Sequence, residues 1–267
     1  MWDLLIVHPM TNILLFIYSL VVQVPFMDKI GAFGIAIILF TILIRLATHP
    51  LTASQIKASK AMQEMMQSKE WQAIQKKYEK DKEKLAAEQM KFYQEKGINP
   101  FGSCLPTLIQ FPIIIGLYQA IIRALATTPL QLIQLNRSIY EFLDASKLIP
   151  LQNNFLWMNL SQPEGINIGL PFAIPTLAIV VALTTYLQTK LATPPSPNPN
   201  DQTAAMNKTM AIYMPLLLGY FALTFASGLA VYFVVSNLFS IAQYGAMGKL
   251  DWSNLFGGGQ KAAAKPK

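Results

Sequence analysis

Arg45 stands in the run "GIAIILFTILIRLATHPLT" (34–52), where a permanently charged guanidinium meets an otherwise apolar neighbourhood. Thr41, Thr48, His49 and Thr52 lie at minus four, plus three, plus four and plus seven from it, within about 60° on a helical wheel. A straight helix would therefore carry one polar face from Thr41 inward, while Gly34 to Phe40 has no polar side chain. A charge inside a membrane costs about 2.5 to 3.5 kcal/mol on insertion scales and normally has a partner or water. What a guanidinium can do there is attract and hydrogen-bond an anionic or polar group that comes and goes.

Other chemistries find little support. His8 and His49 are the only histidines and Cys104 the only cysteine, which argues against zinc sites and disulfide frameworks. No nucleotide-binding motif is present, so no cofactor or metal is expected. Ser227 in "FASGL" has no histidine in a later span to activate it, and it falls at an external turn, which argues against a serine protease. The chain reads as a non-enzyme.

The elements that must position Arg45 follow from composition. With 53% hydrophobic and 13% charged residues over 267 positions, the chain reads as an integral membrane protein. Five apolar segments, 34–54, 104–126, 169–190, 207–226 and 229–247, are each long enough to cross roughly 30 Å of hydrocarbon. The expected fold is an all-α polytopic membrane protein. A sixth apolar stretch, Leu4 to Phe26, is interrupted by Pro9, Thr11, Asn12, Ser19 and Gln23, and His8-Pro9 is expected to break its first turn. It reads as an interfacial helix lying flat, with an ordinary extra span as the alternative. The start "MWDLLIVHP" lacks the basic region and cleavage pattern of a secretory signal.

Residues 57–96 hold ten of the eighteen lysines, which places them in the cytoplasm. The organisation expected is an external helix over 1–30, a first span over 31–54, a cytoplasmic helical hairpin over 55–103 and a second span over 104–126. An external segment over 127–168, a third span over 169–190 and a cytoplasmic turn over 191–206 follow. Spans four and five occupy 207–226 and 229–247, and a basic cytoplasmic tail 248–267. The N-terminus then lies outside and the C-terminus inside. Residues 52–96 contain neither Gly nor Pro, and two helices, about 52–79 and 82–96, fit them, with Asp81 capping the second. Ile56, Met62, Met65, Trp71, Ile74 and Tyr78 recur at helical spacing and can pack on Leu85, Phe92 and Tyr93.

Once the spans are oriented, their inner ends share polar stripes: Ser103, Thr107 and Gln110 in the second; Thr184, Thr185 and Gln188 in the third; Ser236, Asn237, Ser240 and Gln243 in the fifth. Four striped spans fit an aqueous groove that opens to the cytoplasm and stops partway. A proton-coupled transporter needs an intramembrane carboxylate and a channel needs a full-length polar lining. The five spans contain no Asp or Glu and their outer halves are apolar, so neither class fits well.

The stretches "GIAIILFTILIRLATHPLTASQIKASKAMQ", "INPFGSCLPTLIQFPIIIGLYQAI", "FLWMNLSQPE" and "MPLLLGYFALTFASGLAVYFVVSNLFSIAQ" resemble, in order and spacing, the YidC/Oxa/Alb family of membrane protein insertases. The resemblance runs from about residue 5 to 247. It implies a five-span insertase core, in a bacterial plasma (inner) membrane, with a lipid-exposed groove in which Arg45 and Thr41 hold the family's arginine and threonine positions. Gln110 and Tyr232 would line or flank that groove, and Gln188 and Ser236 belong to its stripes. It also implies an apolar client-guiding surface on the second and fourth spans and favours the flat external helix. Nascent membrane proteins are the expected partners, with the ribosome and the Sec translocon as further candidates and the lipid bilayer as surroundings. No small-molecule substrate is expected. Among departures, His49 stands where relatives are often aromatic or apolar, and Phe233 where some have a second tyrosine. A lipid scramblase or small-solute channel is the alternative reading.

Overall fold

Apolar runs bounded by Pro, Gly and capping residues become helices in the computed structural model, and among the described residues strand pairing is limited to one two-stranded hairpin and an isolated Ile166–Ile174 bridge. The structure describes residues 1–66, 68–78, 81–97, 105–126, 128–144, 148, 151–166, 173–192, 202–248 and 250, with the side chains of 28, 59, 60, 62, 63, 66, 82, 105–110 and 202–207 outside the description. A π-helical turn, Asp3–Val7, leads into α1 (His8–Val21). The expected break at His8-Pro9 is absent. The wider turn accommodates the Pro9 ring, which in a regular helix collides with the carbonyl four residues back. Asp3–Val21 is thus one 19-residue helical stretch of mean hydropathy 1.9, long and apolar enough to cross a membrane.

The polar residues within α1 have structural uses. Asn12 is buried; its Nδ2 donates to the carbonyls of His8 (2.8 Å) and Ser138 (2.9 Å), and its Oδ1 accepts from Tyr140 N–H at 2.8 Å. It ties α1 to the last residue of α8 (Pro129–Ser138) and to the turn just after it, α8 being a helix capped by a reciprocal Thr128–Gln131 box. Trp2 Nε1 donates to Gln119 Oε1 (2.9 Å), and Arg123 pairs with Asp3 at 2.8 Å, so the same helix is fixed to α7 (Leu105–Ala124).

After α2 (Pro25–Ile30) comes α3 (Ala32–Ala47), which carries Arg45. The expected straight span over 31–54 is bent: α3 ends at Thr48, and α4 (His49–Met66) leaves at 56°. Pro50 explains the bend, since it lacks an N–H for the Leu46 carbonyl and its ring crowds that turn. The long first helix of the expected cytoplasmic hairpin is likewise divided, into α4 and α5 (Lys69–Lys77). Ser68 is in an extended conformation and its side chain accepts from Trp71 N–H, a helix start that interrupts the run. Asp81 caps α6 (Lys82–Glu95) by accepting from Lys84 N–H at 3.1 Å. Trp71 stacks on Phe92 with centroids 5.8 Å apart, and Met65, Tyr93, Ile74 and Leu85 complete that small core.

The remaining long helices are α9 (Thr176–Ala192), α10 (Gln202–Thr224) and α11 (Ser227–Ala246). Of the five apolar segments expected to span, 34–54 falls on α3 and the start of α4, 104–126 on α7, 207–226 on α10 and 229–247 on α11, while 169–190 is helical from Thr176 onward and its residues 169–172 lie outside the described residues. Packing places the helices in a row: α7 on α1, α1 on α3, α3 on α11, α11 on α9, α9 on α10. The principal core joins Leu14, Phe33, Phe40, Ile121, Leu160 and Val181 with Tyr232 and others, at the end that carries the β1 (Asn154–Phe155) and β2 (Met158–Asn159) hairpin.

That end is held by residues 159–164, which cap two helices at once. Ser227 Oγ donates to the Asn159 carbonyl (2.8 Å), Ser227 N–H to Gln162 (2.8 Å) and Gly228 N–H to Leu160 (3.1 Å), so the start of α11 is satisfied by this segment. Ser227 is fully buried in that role. Glu164 does the same for α9: its carboxylate accepts from Leu177 N–H (2.8 Å) and Thr176 Oγ1 (2.7 Å), and also from Trp157 Nε1 (3.0 Å). A carboxylate at a helix start is favoured by the helix dipole. Glu164→Ala is expected to lower stability by about 1 to 2 kcal/mol; thermal unfolding in detergent checks this, with Glu164→Gln losing less.

Candidate functional site

The buried face of α11 changes character partway along. From Leu229 to Phe233 every buried residue is apolar or, at Tyr232, aromatic; beyond that the buried residues are Ser236, Asn237, Ser240 and Gln243. α9 changes at the same place, from Leu177, Ala178 and Val181 to Thr184 and Thr185. α3 does so too, from Phe40 to Thr41 and Arg45. Steps of three and four keep these residues on one helix face each.

Hydrogen bonds join the three faces. The Arg45 guanidinium donates through Nη2 to Ser236 Oγ. Asn237 Nδ2 donates to Thr185 Oγ1 (2.9 Å) and Thr184 Oγ1 (3.2 Å), while Thr184 donates its own proton to the Val180 carbonyl at 2.8 Å. Positions 45, 184–185 and 236–237 thus lie at one level of three parallel helices. Ser240 Oγ donates to the Ser236 carbonyl (2.9 Å).

Arg45 is half-buried, its Nε is buried without a partner, and among the described residues no carboxylate pairs with it. A neutral hydroxyl is a weak counterpart for a guanidinium, so most of its capacity for charge-assisted bonding is unspent. Thr41, one turn away, is completely buried and gives its hydroxyl to the Ile37 carbonyl at 2.7 Å. Tyr232 is 1% exposed, one turn before Ser236, with Phe233 against its ring at 5.6 Å. Gln188 is half-buried, one turn beyond Thr184 on α9. Gln110 lies on α7, and its side chain, with that of Thr107, is outside the description, as are Ser103 and Cys104 altogether.

Two polar residues of the wheel do not belong to this face. The bend at Thr48 takes His49 and Thr52 onto α4, and His49 is exposed. Conversely, the link from Asn237 to both threonines was not legible in any single helix, because the stripes give faces and not partners. The signal was an amide and two hydroxyls at matching depth.

These features define a class: a polytopic helical membrane protein with a lone arginine where an apolar bundle turns polar. The chain belongs to the 60Kd inner membrane protein family, whose model matches residues 25–251. It is 33% identical over 246 residues to the membrane protein insertase MisCA of Bacillus subtilis (strain 168), covering 91% of this chain and 77% of that protein. It is 37% identical over 217 residues to the membrane protein insertase YidC of Oceanobacillus iheyensis, covering 79% and 72%. An active YidC insertase crystal structure with the first transmembrane domain resolved is similar at 27% identity and a TM-score of 0.49, over 79% of this chain and 40% of that one.

Proposed function

We propose that this chain is a membrane protein insertase in which Arg45 receives the short polar segment of a client while the client's apolar span passes into lipid. The observation that carries the reading is the half-buried guanidinium, at the level where the apolar core ends, held among the described residues by the neutral hydroxyl of Ser236. A client's polar tail meets Arg45, Ser236 and Gln188 there, with Thr41 and Tyr232 forming the apolar-side boundary and Gln110 on α7 flanking it. Bringing the tail partway across in a polar setting shortens the hydrocarbon it must still pass.

The ends of the helix row supply the other half of the mechanism. α10 leaves Ile212, Tyr213, Leu216, Tyr220 and Leu223 exposed, and α7 leaves Phe111 and Ile115 exposed. Such surfaces suit lipid or a client helix sliding along them. Burial of the client's apolar span, at about 25 cal/mol per Å², drives release, and no nucleotide hydrolysis is required. Tyr118 of α7 meets Phe225, after α10, with centroids 5.1 Å apart, which joins the two ends of the row away from Arg45. The hairpin α4–α6 faces the cytoplasm in this reading, the side from which nascent chains arrive, and a translating ribosome or the Sec translocon would deliver them there.

Reconstitution of the purified chain into protein-free liposomes tests the reading. A short single-span client with an acidic tail is expected to insert, its tail becoming protected from external protease, without matching acceleration of lipid scrambling. Scrambling without insertion would overturn it.

A further inference from the structure

Gln243 is 6% exposed, and both its amide nitrogen and its amide oxygen are buried without a hydrogen-bond partner. Every other buried polar residue on this stretch of α11 is engaged: Ser236 with Arg45, Asn237 with Thr184 and Thr185, Ser240 with the Ser236 carbonyl. A buried amide with neither bond made costs free energy that an apolar residue of the same shape would not. A group that completed its hydrogen bonds would recover that cost.

Position and chemistry indicate what does. Seven residues separate Ser236 from Gln243, two helical turns, so both lie on one face about 10 Å apart. Gln243 is on the side toward the α4–α6 hairpin, and a tail moving from that end toward Arg45 passes it first. A primary amide carries an NH2 donor group and a carbonyl acceptor in one plane, so it can pair with both the C=O and the N–H of a peptide group. Arg45 responds to charge; Gln243 responds to any main chain.

We infer that Gln243 is a client-binding residue that hydrogen-bonds the main chain of the extended polar segment, whatever its side chains. This rests on the insertase reading and adds a sequence-independent contact to it.

The test uses the full chain in liposomes with two clients, one acidic-tailed and one with an uncharged polar tail. Gln243→Leu and Gln243→Met are expected to melt at or above the unsubstituted protein in detergent, because an unpartnered amide has been removed, and to insert both clients about fivefold more slowly. Arg45→Ala is expected to slow chiefly the acidic one. A photoreactive residue in the client tail is expected to crosslink to the α11 peptide that contains residue 243. If both Gln243 variants insert at the unsubstituted rate while Arg45→Ala fails, or if both melt lower in step with their loss of insertion, the inference is overturned and the insertase reading stands. If the unsubstituted protein inserts neither client, the insertase reading itself fails.

Discussion

Arg45→Ala is expected to lower insertion of an acidic-tailed client about tenfold, and Arg45→Glu to lower it further. The size follows from Coulomb attraction: two charges 4 Å apart interact by about 4 kcal/mol at an effective dielectric of 20, and half-exposure and salt reduce this toward about 1.4 kcal/mol, a factor of ten. The direction follows from the partner. Ser236 is neutral, so removing Arg45 leaves no buried carboxylate behind, and the folded protein loses little. Loss of activity with stability retained is therefore the expected signature. Arg45→Lys keeps the charge but not the fork of donors, and retains most of the effect on charge with a weaker hold. Arg45→Glu with a lysine-bearing tail recovers part of the loss, since the sign of the attraction is restored. Protease protection of the tail in liposomes, measured for each variant against each tail, gives the rates. Equal insertion of acidic tails by the unsubstituted, Ala and Glu proteins would leave hydration of the polar level, not electrostatic pull, as the working element.

Much of this arrangement is legible in the chain, and the reasons for the rest are physical. Steps of three and four on α9 and α11 placed Thr184, Thr185, Ser236 and Asn237 on single faces, because helix period is local. Which face meets which depends on tertiary packing, so the Arg45–Ser236 and Asn237–Thr185 pairs had no local signature. Pro50 was visible, yet a polar face drawn through it assumed a straight helix; a proline acts on the turn before it, and the bend falls at Thr48. In the lysine-rich segment, absence of Gly and Pro suggested an unbroken first helix over about 52–79, but Ser68 followed by Glu70 is itself a start signal. Asn12 read as an interruption in an apolar stretch because its partners, Ser138 and Tyr140, lie more than 120 residues away. Polarity in such a stretch marks a lipid interface or a buried tie, and sequence alone gives both the same pattern.

Gly34→Val is expected to disrupt the fold at the end opposite the polar level. A Cβ at Gly34 would stand 2.1 Å from Phe155 Cδ2 and 2.2 Å from its Cγ, far inside contact distance, with ring atoms that cannot swing clear. Phe155 is locked on the other side: Leu156 N–H donates to the Ile30 carbonyl at 3.0 Å, and Gly31, at φ +117°, has the Asn154 carbonyl 2.3 Å from where its Cβ would be. Neither chain segment can retreat, so the overlap costs at least the roughly 1 to 3 kcal/mol of ordinary overpacking. Phe155→Ala alone empties a buried site and costs about 3 to 5 kcal/mol. In the double variant the valine enters space that the ring has left, so the two losses do not add; the melting temperature of Gly34→Val/Phe155→Ala is expected to lie above the value their sum gives. Additive losses would mean that Phe155 and Gly34 do not touch. Insertion per folded molecule should be unchanged in the double variant, because β1 packs at the end of α3 where the helix starts and Arg45 lies near its finish. One glycine and one aromatic ring, 121 positions apart, thus fix where α3 begins, a role in folding that is separate from the work of the arginine near its other end.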